Sequence, residues 1–321
     1  MPFNTSGFQM DANVLKSVFK NSKITYSLPN LDHSSVNIFV DRIKNEEIFN
    51  TAKINVLLAN HETLFIPSRI SSDLEHMKRI DYVLCKTHYG AEMLRYFKDK
   101  YNFNYTIFYI GFTTIFPDFS LKIRNYDTVL HLAGSHGYKN TDAIIKCWLK
   151  YGNQLPHIIL GCFENCYNKM IDIYITQEQI SRFRNLPNVT FIDYKLPYND
   201  VIKMKYYYAI QICPSMEEGY GHYINEARKT SALIITTDYP PMNELIDKSF
   251  GVLINCHEYG EKQNNTRYCF LSEDDLAKTI FEIMKFPIDK IRKMGNLAYK
   301  RYISDTNFYF ESAFAFEKLI I

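Results

Sequence analysis

Glycine is scarce in this chain: 12 residues serve a length of 321. Net charge of one sign, long apolar runs and acidic D-x-D triplets are missing as well, and the chain has one tryptophan. Each absence excludes something. Lysine and arginine total 37 against 35 acidic residues, a net charge of +2. No overall field therefore draws nucleic acid or an anionic membrane to it, and any polyanion site is local. No apolar run reaches the roughly 18 residues of a membrane span. The start, MPFNTSGFQMDANVL, lacks the basic region and apolar core of a secretory signal. The seven cysteines are odd in number and lie mostly in apolar segments. They read as buried free thiols of a reducing compartment, so a cytoplasmic location is expected. Cys162 and Cys166 are four apart, but no second ligand pair at zinc spacing accompanies them, and no metal site is expected.

Short β-branched and aromatic runs recur along the sequence. VNIFV (36–40), INVLLA (54–59), DYVLCK (81–86) and YTIFYIGF (105–112) lie in the first part, after KITYSL (23–28). TVLHLAG (128–134), HIILGC (157–162), VTFID (189–193), YYAIQIC (207–213), ALIITTD (232–238) and GVLIN (251–255) lie in the second. They are apolar without strict alternation, as strands covered on both faces are. Helical patterns separate them, such as TDAIIKCWLKYG, which is capped by Thr141 and stops at Gly152, and DDLAKTIFEIMKF, capped by Ser272. Strand and helix alternating in this way predict an α/β fold with parallel sheets. The polar stretch 116–127, with Pro117, is the best linker. It sets the expected domains at 1–118 and 119–297, followed by an aromatic amphipathic helix at 298–321.

Against the scarcity of glycine, two within three positions is a concentration. CPSMEEGYGHYINEARKT (213–230) holds Gly219 and Gly221 between a strand and a helix, with Glu218 and Glu226 eight positions apart. Glycines there allow a sharp turn and close approach of a ligand, and the following helix start favours an anion. Carboxylates accept hydrogen bonds from diols. Together they suit a ligand with two polyhydroxyl ends and phosphate between, although from spacing alone a plain loop with an acid complementing the helix dipole is the leading reading. HLAGSHGYKNTDAII repeats the strand, glycine loop and helix order, with Gly134 and Gly137 before Lys139. One lysine at such a loop can hold phosphate, yet neither GxxxxGK[ST] nor GxGxxG is present.

The span CPSMEEGYGHYINEARKTSALIITTDYPPMNEL resembles the donor-binding segment of GT-B glycosyltransferases of the large retaining, family-four-like group. That group carries PS-x-x-EG-[FWY]-G-x-x-x-x-E, matched here by Pro214, Ser215, Glu218, Gly219, Tyr220, Gly221 and Glu226. The resemblance is specific over most of 128–250 and diffuse over 1–118. It implies two Rossmann-like domains facing a cleft, a last helix (298–321) that returns to the first domain and buries its Phe308, Phe310 and Phe314 side, and a retaining transfer from a nucleotide diphosphate sugar to a glycan or other hydroxyl acceptor. It further implies that no cofactor and no essential metal is needed, and the absent D-x-D triplet agrees. By the resemblance, Glu218 and Lys139 are catalytic. Gly134, Ser135, His136, Lys139, Gly219, Tyr220, Gly221, His222, Tyr223 and Glu226 hold the donor, with Glu226 on the ribose. The group usually has a basic residue where this chain has Ser135 and then His136, so half of its basic pair is replaced. On the acceptor side the polar strand ends offer Gly7, Asn60, His61 and Lys86, with His61 as a third catalytic candidate. A non-catalytic sugar-nucleotide or glycan binder and a nucleotide-sugar epimerase remain alternatives on the same fold.

Overall fold

A computed structural model of the chain describes residues 7–21, 35–41, 43, 46–134, 137–163, 174–261 and 267–320. The expected strand at 23–28 lies outside the described residues. The described chain divides into two compact units. The first is built from the chain up to Ile115 and from Ile303 onward, and the second from Phe116–Gly260 and Arg267–Tyr302.

The first unit contains a four-stranded sheet: β1 (Val36–Val40), β2 (Ile54–Leu58), β3 (Tyr82–Cys85) and β4 (Thr106–Tyr109), in that order. All neighbours are parallel. Parallel strands need cover on both faces, and Val56, Leu57, Leu58, Val83 and Leu84 are accordingly buried. The helix His88–Tyr101 starts where Thr87 Oγ1 accepts from the Gly90 amide at 3.0 Å, and ends at Asn102 in the left-handed region. Phe65, Phe97, Phe103 and Tyr105 form an aromatic cluster beneath it.

The second unit holds six parallel strands: β5 (Asn125–Gly134), β6 (His157–Cys162), β7 (Val189–Ile192), β8 (Tyr208–Cys213), β9 (Leu233–Thr237) and β10 (Gly251–Ile254). Their spatial order is β10-β9-β8-β5-β6-β7. The chain proceeds outward one way from β5 to β7, then crosses back and proceeds the other way from β8 to β10. The order therefore reverses between β5 and β8, and in open α/β sheets the crevice beyond the carboxyl ends at such a reversal is where ligands bind. A short pair, β11 (Glu258–Glu261) and β12 (Arg267–Phe270), completes the strands. The α/β class with parallel sheets is thus the observed one.

Three expectations change. Thr141 does not cap its helix; Asn140 is the N-cap residue, and Thr141 Oγ1 meets His131 Nε2 at 2.9 Å. The last helix, Ile288–Ile320, buries a different side from that expected. Phe308 and Phe314 are 43% and 39% exposed, while Tyr309, Ala313, Phe316 and Ile320 are buried. The spacing of those four is one helical stripe. Tyr309 donates to the Val14 carbonyl at 3.2 Å, and Phe316 packs on Tyr82 and Phe108, which sets the rotation of the helix. Not all cysteines are free: Cys256 and Cys269 form a disulfide, and Cys85, Cys147, Cys162 and Cys213 are buried thiols. Burial pushes the Cys85 and Cys213 thiols up to about 12, which keeps them protonated and unreactive. Cys166 lies outside the described residues.

Gly295 sits on the last helix against the turn that precedes β9. A Cβ there would lie 2.1 Å from the Ser231 carbonyl oxygen, a backbone atom that cannot step aside. Gly295→Ala is expected to destabilise the second unit by about 1–3 kcal/mol, the cost of forced overpacking. Trp148, the single tryptophan, is fully buried and donates to the Pro156 carbonyl at 3.1 Å. Its fluorescence in a urea titration measures the shift in midpoint, and an unchanged midpoint would contradict the packing at Ser231.

Candidate functional site

Two loops meet at the carboxyl ends of β5 and β8. The first leaves β5 at Gly134, whose φ of +65° suits glycine. The second leaves β8 at Cys213 and runs to Gly221, whose φ is +99°. A Cβ on Gly221 would also crowd Leu245 Cδ1 at 3.0 Å. The helix His222–Lys229 begins there, so its first amides face the end of the sheet.

Asn140 joins the loops. Its backbone is left-handed, and its buried Nδ2 donates to the Pro214 carbonyl at 2.8 Å and to the Cys269 carbonyl at 3.0 Å. The Met216 amide donates to the Tyr138 carbonyl at 3.0 Å. Thr236 and Thr237 on β9 donate to the carbonyls of Cys213 and Ser215, at 2.7 and 2.8 Å. The two loops are therefore held side by side from beneath and from the flank.

That clamp brings Lys139 to Glu218. Their ion pair links Nζ to Oε1, with the two side chains 12% and 13% exposed. Ser215 Oγ donates to the same Glu218 oxygen and lies 2.6 Å from the Tyr223 hydroxyl. The Tyr223 ring carries the Lys139 ammonium 4.1 Å from its centroid. Burial raises the Tyr223 phenol well above its ordinary value, so it stays neutral and remains a donor. Glu226, one turn on, pairs with Lys205 at 2.9 Å, and the Lys205 ammonium also reaches the Tyr223 carbonyl at 3.4 Å. Each of the two acids is thus paired with a lysine at the crevice, with all four side chains largely shielded from water.

Of the residues expected here, Lys139, Glu218, Gly219, Gly221, His222, Tyr223 and Glu226 stand together on these loops, with Gly134 at the foot of the first. Tyr220 is buried and stacks edge-on to His222, so it packs beneath the loop. Ser135 and His136 lie outside the described residues. Glu217, the acid next to Glu218, is half-buried. Asn140, Lys205 and the hydroxyl of Tyr223 went unread in the sequence. Lys205 sits among tyrosines in a helix 21 residues before its partner, and no local pattern marks it.

The acceptor-side candidates belong to the first unit. Gly7 opens the helix Gly7–Val18 with open space around it. Lys86 is buried and pairs with Asp11 at 2.8 Å, while Asn60 Oδ1 accepts from the same ammonium. His61 is buried beside Tyr89, ring to ring at 5.0 Å, and a Cβ on Gly90 would come within 3.3 Å of its Nδ1. Asn60 and Lys86 thus form one buried polar cluster with Asp11.

Comparison with known proteins bears on the fold. No family model and no curated protein matches the chain. Solved structures do. A crystal structure of the pneumococcal O-GlcNAc transferase GtfA in complex with UDP and GlcNAc superposes with a TM-score of 0.59 at 16% identity. It covers 85% of this chain and 53% of that one. A TarM structure gives 0.60 at 17% identity, covering 85% of this chain and 52% of TarM. This chain has the GT-B fold. The chain spans about half the length of those two GT-B proteins. Trehalose-6-phosphate synthase, in a structure addressing glycosyl transfer with retention, gives 0.63 at 8% identity and covers 98% of this chain and 78% of its own. Among the described residues, no helix is long and apolar enough to cross a membrane.

His131 is a test of how the site is built. It is wholly buried on β5 and bridges the Ile212 carbonyl on β8 to Thr141, each at 2.9 Å. Burial lowers its pKa from 6.5 to about 4. The unfolded chain therefore binds the proton first, so this stabilisation is complete above the unfolded value and is lost as pH falls through about 6.5 toward about 4. Between about pH 7.5 and about pH 5 the loss amounts to roughly 2 kcal/mol. His131→Gln is expected to be less stable at neutral pH and to lose that part of the acid sensitivity. Urea titrations at the two pH values check it; equal pH slopes for the two proteins would refute the assignment.

Proposed function

We propose that this chain is a retaining, metal-independent glycosyltransferase that moves a sugar from a nucleotide diphosphate sugar to a glycan or other hydroxyl acceptor. The observation that carries the reading is the Lys139–Glu218 pair, drawn from two loops onto the crevice where the strand order reverses. Glycosyltransferases among the GT-B proteins that superpose on the chain, one in complex with UDP and GlcNAc, support it.

Lys139 exchanges Glu218 for an oxygen of the donor diphosphate. An ammonium half-shielded from water is a strong partner for that charge. Glu218, released, accepts hydrogen bonds from donor-sugar hydroxyls, and Glu226, oriented by Lys205, accepts from the ribose diol. The bond between the anomeric carbon and the β-phosphate oxygen breaks, and the acceptor oxygen bonds that carbon on the face the phosphate leaves. The acceptor proton passes to the departing phosphate. Negative charge develops on that phosphate, where Lys139 and the amides at the start of the helix His222–Lys229 stabilise it. Asn60, His61 and Lys86 of the first unit are the acceptor-side residues in this reading.

A thermal-shift screen with nucleoside diphosphates and their sugars tests the donor site, since a ligand of the native state raises the midpoint by mass action. A diphosphate at about 100 times its Kd stabilises by about 2.7 kcal/mol. No shift with any nucleotide would sink the reading. With a donor identified, Lys139→Met is expected to lower turnover by about 100- to 1000-fold, the range seen when one transition-state donor is removed. Glu218→Gln is expected to abolish transfer while nucleotide binding persists. Product anomers distinguish retention from inversion, and activity surviving a chelator checks metal independence.

A further inference from the structure

The second unit has a cavity of about 750 Å³ at the end of its sheet opposite to the loops of Lys139 and Glu218. It is walled by the entry to β5 at Arg124 and Tyr126, the start of β8 at Ala209, and Ser231 just before β9. These are the amino-terminal ends of the strands. Strand β5 has ten residues at about 3.3 Å each, so about 30 Å separates the cavity from the donor loops.

Its charges are one-sided. Arg124, Lys229 and Arg292 line it, against the single carboxylate of Asp118. Lys229 holds that carboxylate at 2.7 Å, and Asp118 is itself largely exposed, with 87% of its side chain accessible. Arg292 donates to the Tyr126 hydroxyl at 3.1 Å and pairs with Asp289, one turn before it on the last helix, at 3.5 Å. Arg124 donates from Nη1 to the Ser231 carbonyl at 2.9 Å, while its buried Nε and Nη2 have no hydrogen-bond partner among the described residues. Burial lowers its pKa, and the groups that oppose this are the phenols of Tyr126 and Tyr206, with no carboxylate among them. A partly buried guanidinium with no carboxylate paired to it favours an anion in the cavity that it lines. Phenol hydroxyls and aromatic faces at Tyr126, Tyr206, Tyr299 and Phe119 share the walls. Such faces pack against sugar C–H groups, and their hydroxyls bond polyols. The volume falls within the usual range of small-molecule sites.

We infer that this cavity binds a small sugar phosphate or polyol phosphate, at a site separate from the candidate donor site. The phosphate sits among Arg124, Lys229 and Arg292, and the carbon body lies along the tyrosines. Lys229 is the last residue of the helix whose first residues form the donor loop. The inference does not rest on the transferase reading, because the residues of the two sites do not overlap.

Isothermal titration calorimetry of the full chain with ribose 5-phosphate, ribose and inorganic phosphate tests it. Ribose 5-phosphate is expected to bind, inorganic phosphate more weakly, and ribose not at all. Arg292→Gln, half-exposed and safe for folding, is expected to weaken binding about ten-fold, and Arg124→Met more strongly. Asp118→Asn is expected to tighten binding severalfold by freeing Lys229, a sign that a merely structural role for the cluster would not give. Absence of heat with ribose 5-phosphate at millimolar concentration, or an unchanged affinity in Arg292→Gln, overturns the proposal. So does loss of binding in Lys139→Met, which would place the ligand at the donor loops. Phosphate binding as tight as ribose 5-phosphate would reduce the cavity to a bare anion site and overturn the ligand class.

Discussion

The carboxamide of Asn140 is the contact on which the second unit's crevice depends. One buried side chain donates to Pro214 in the second loop and to Cys269 in the short strand β12, while its own left-handed backbone turns the first loop into its helix. It ties together three segments distant in sequence, which the Met216 backbone joins a second time by accepting from the Cys269 amide and donating to the Tyr138 carbonyl. Each of the two Asn140 hydrogen bonds is made in the protein interior, where leaving a donor unmade costs about 1–3 kcal/mol. The clamp is therefore stiff, and it sets where Lys139 and Glu218 stand.

Given the clamp, electrostatics arranges the rest. Lys139 faces Glu218 and Lys205 faces Glu226, each pair partly shielded from water. A half-buried pair of opposite charges is stable while closed and ready to exchange one partner for a charged ligand of the same sign. The disposition of charge in the second unit is polarised along β5, with paired acids and lysines beyond its carboxyl end and three cations against one carboxylate at its amino end. Parallel strands make that separation persistent, because every strand carries the same end to the same edge.

Much of the fold was legible. The apolar runs from VNIFV onward, excluding those outside the described residues, became strands, because continuous β-branched runs suit sheets covered on both faces. Gly152 ended the helix Thr141–Tyr151 and Ser272 capped the helix Glu273–Ile283, since both act through local backbone geometry. The rotation of the last helix was not legible. Its aromatic residues lie all round, so composition gives no preferred face, and the contacts of Tyr309 with Val14 and of Phe316 with Tyr82 chose one. The Cys256–Cys269 disulfide was read as two free thiols, because pairing depends on the loop geometry that brings them together.

The candidate site divides the same way. Glycines flanking acids in a glycine-poor chain marked the second loop, and the Gly–Lys pattern marked the first. Those signals are local, arising from backbone conformations that only certain residues tolerate. Sequence by itself determined the strands, the glycine turns, the near-zero net charge and the two loops. Tertiary structure alone decided that Lys139 would meet Glu218 across 79 positions, that Lys205 would hold Glu226, and that three cations would gather at the far end of the sheet. Such pairings depend on strand order, and strand order follows from how the whole chain packs.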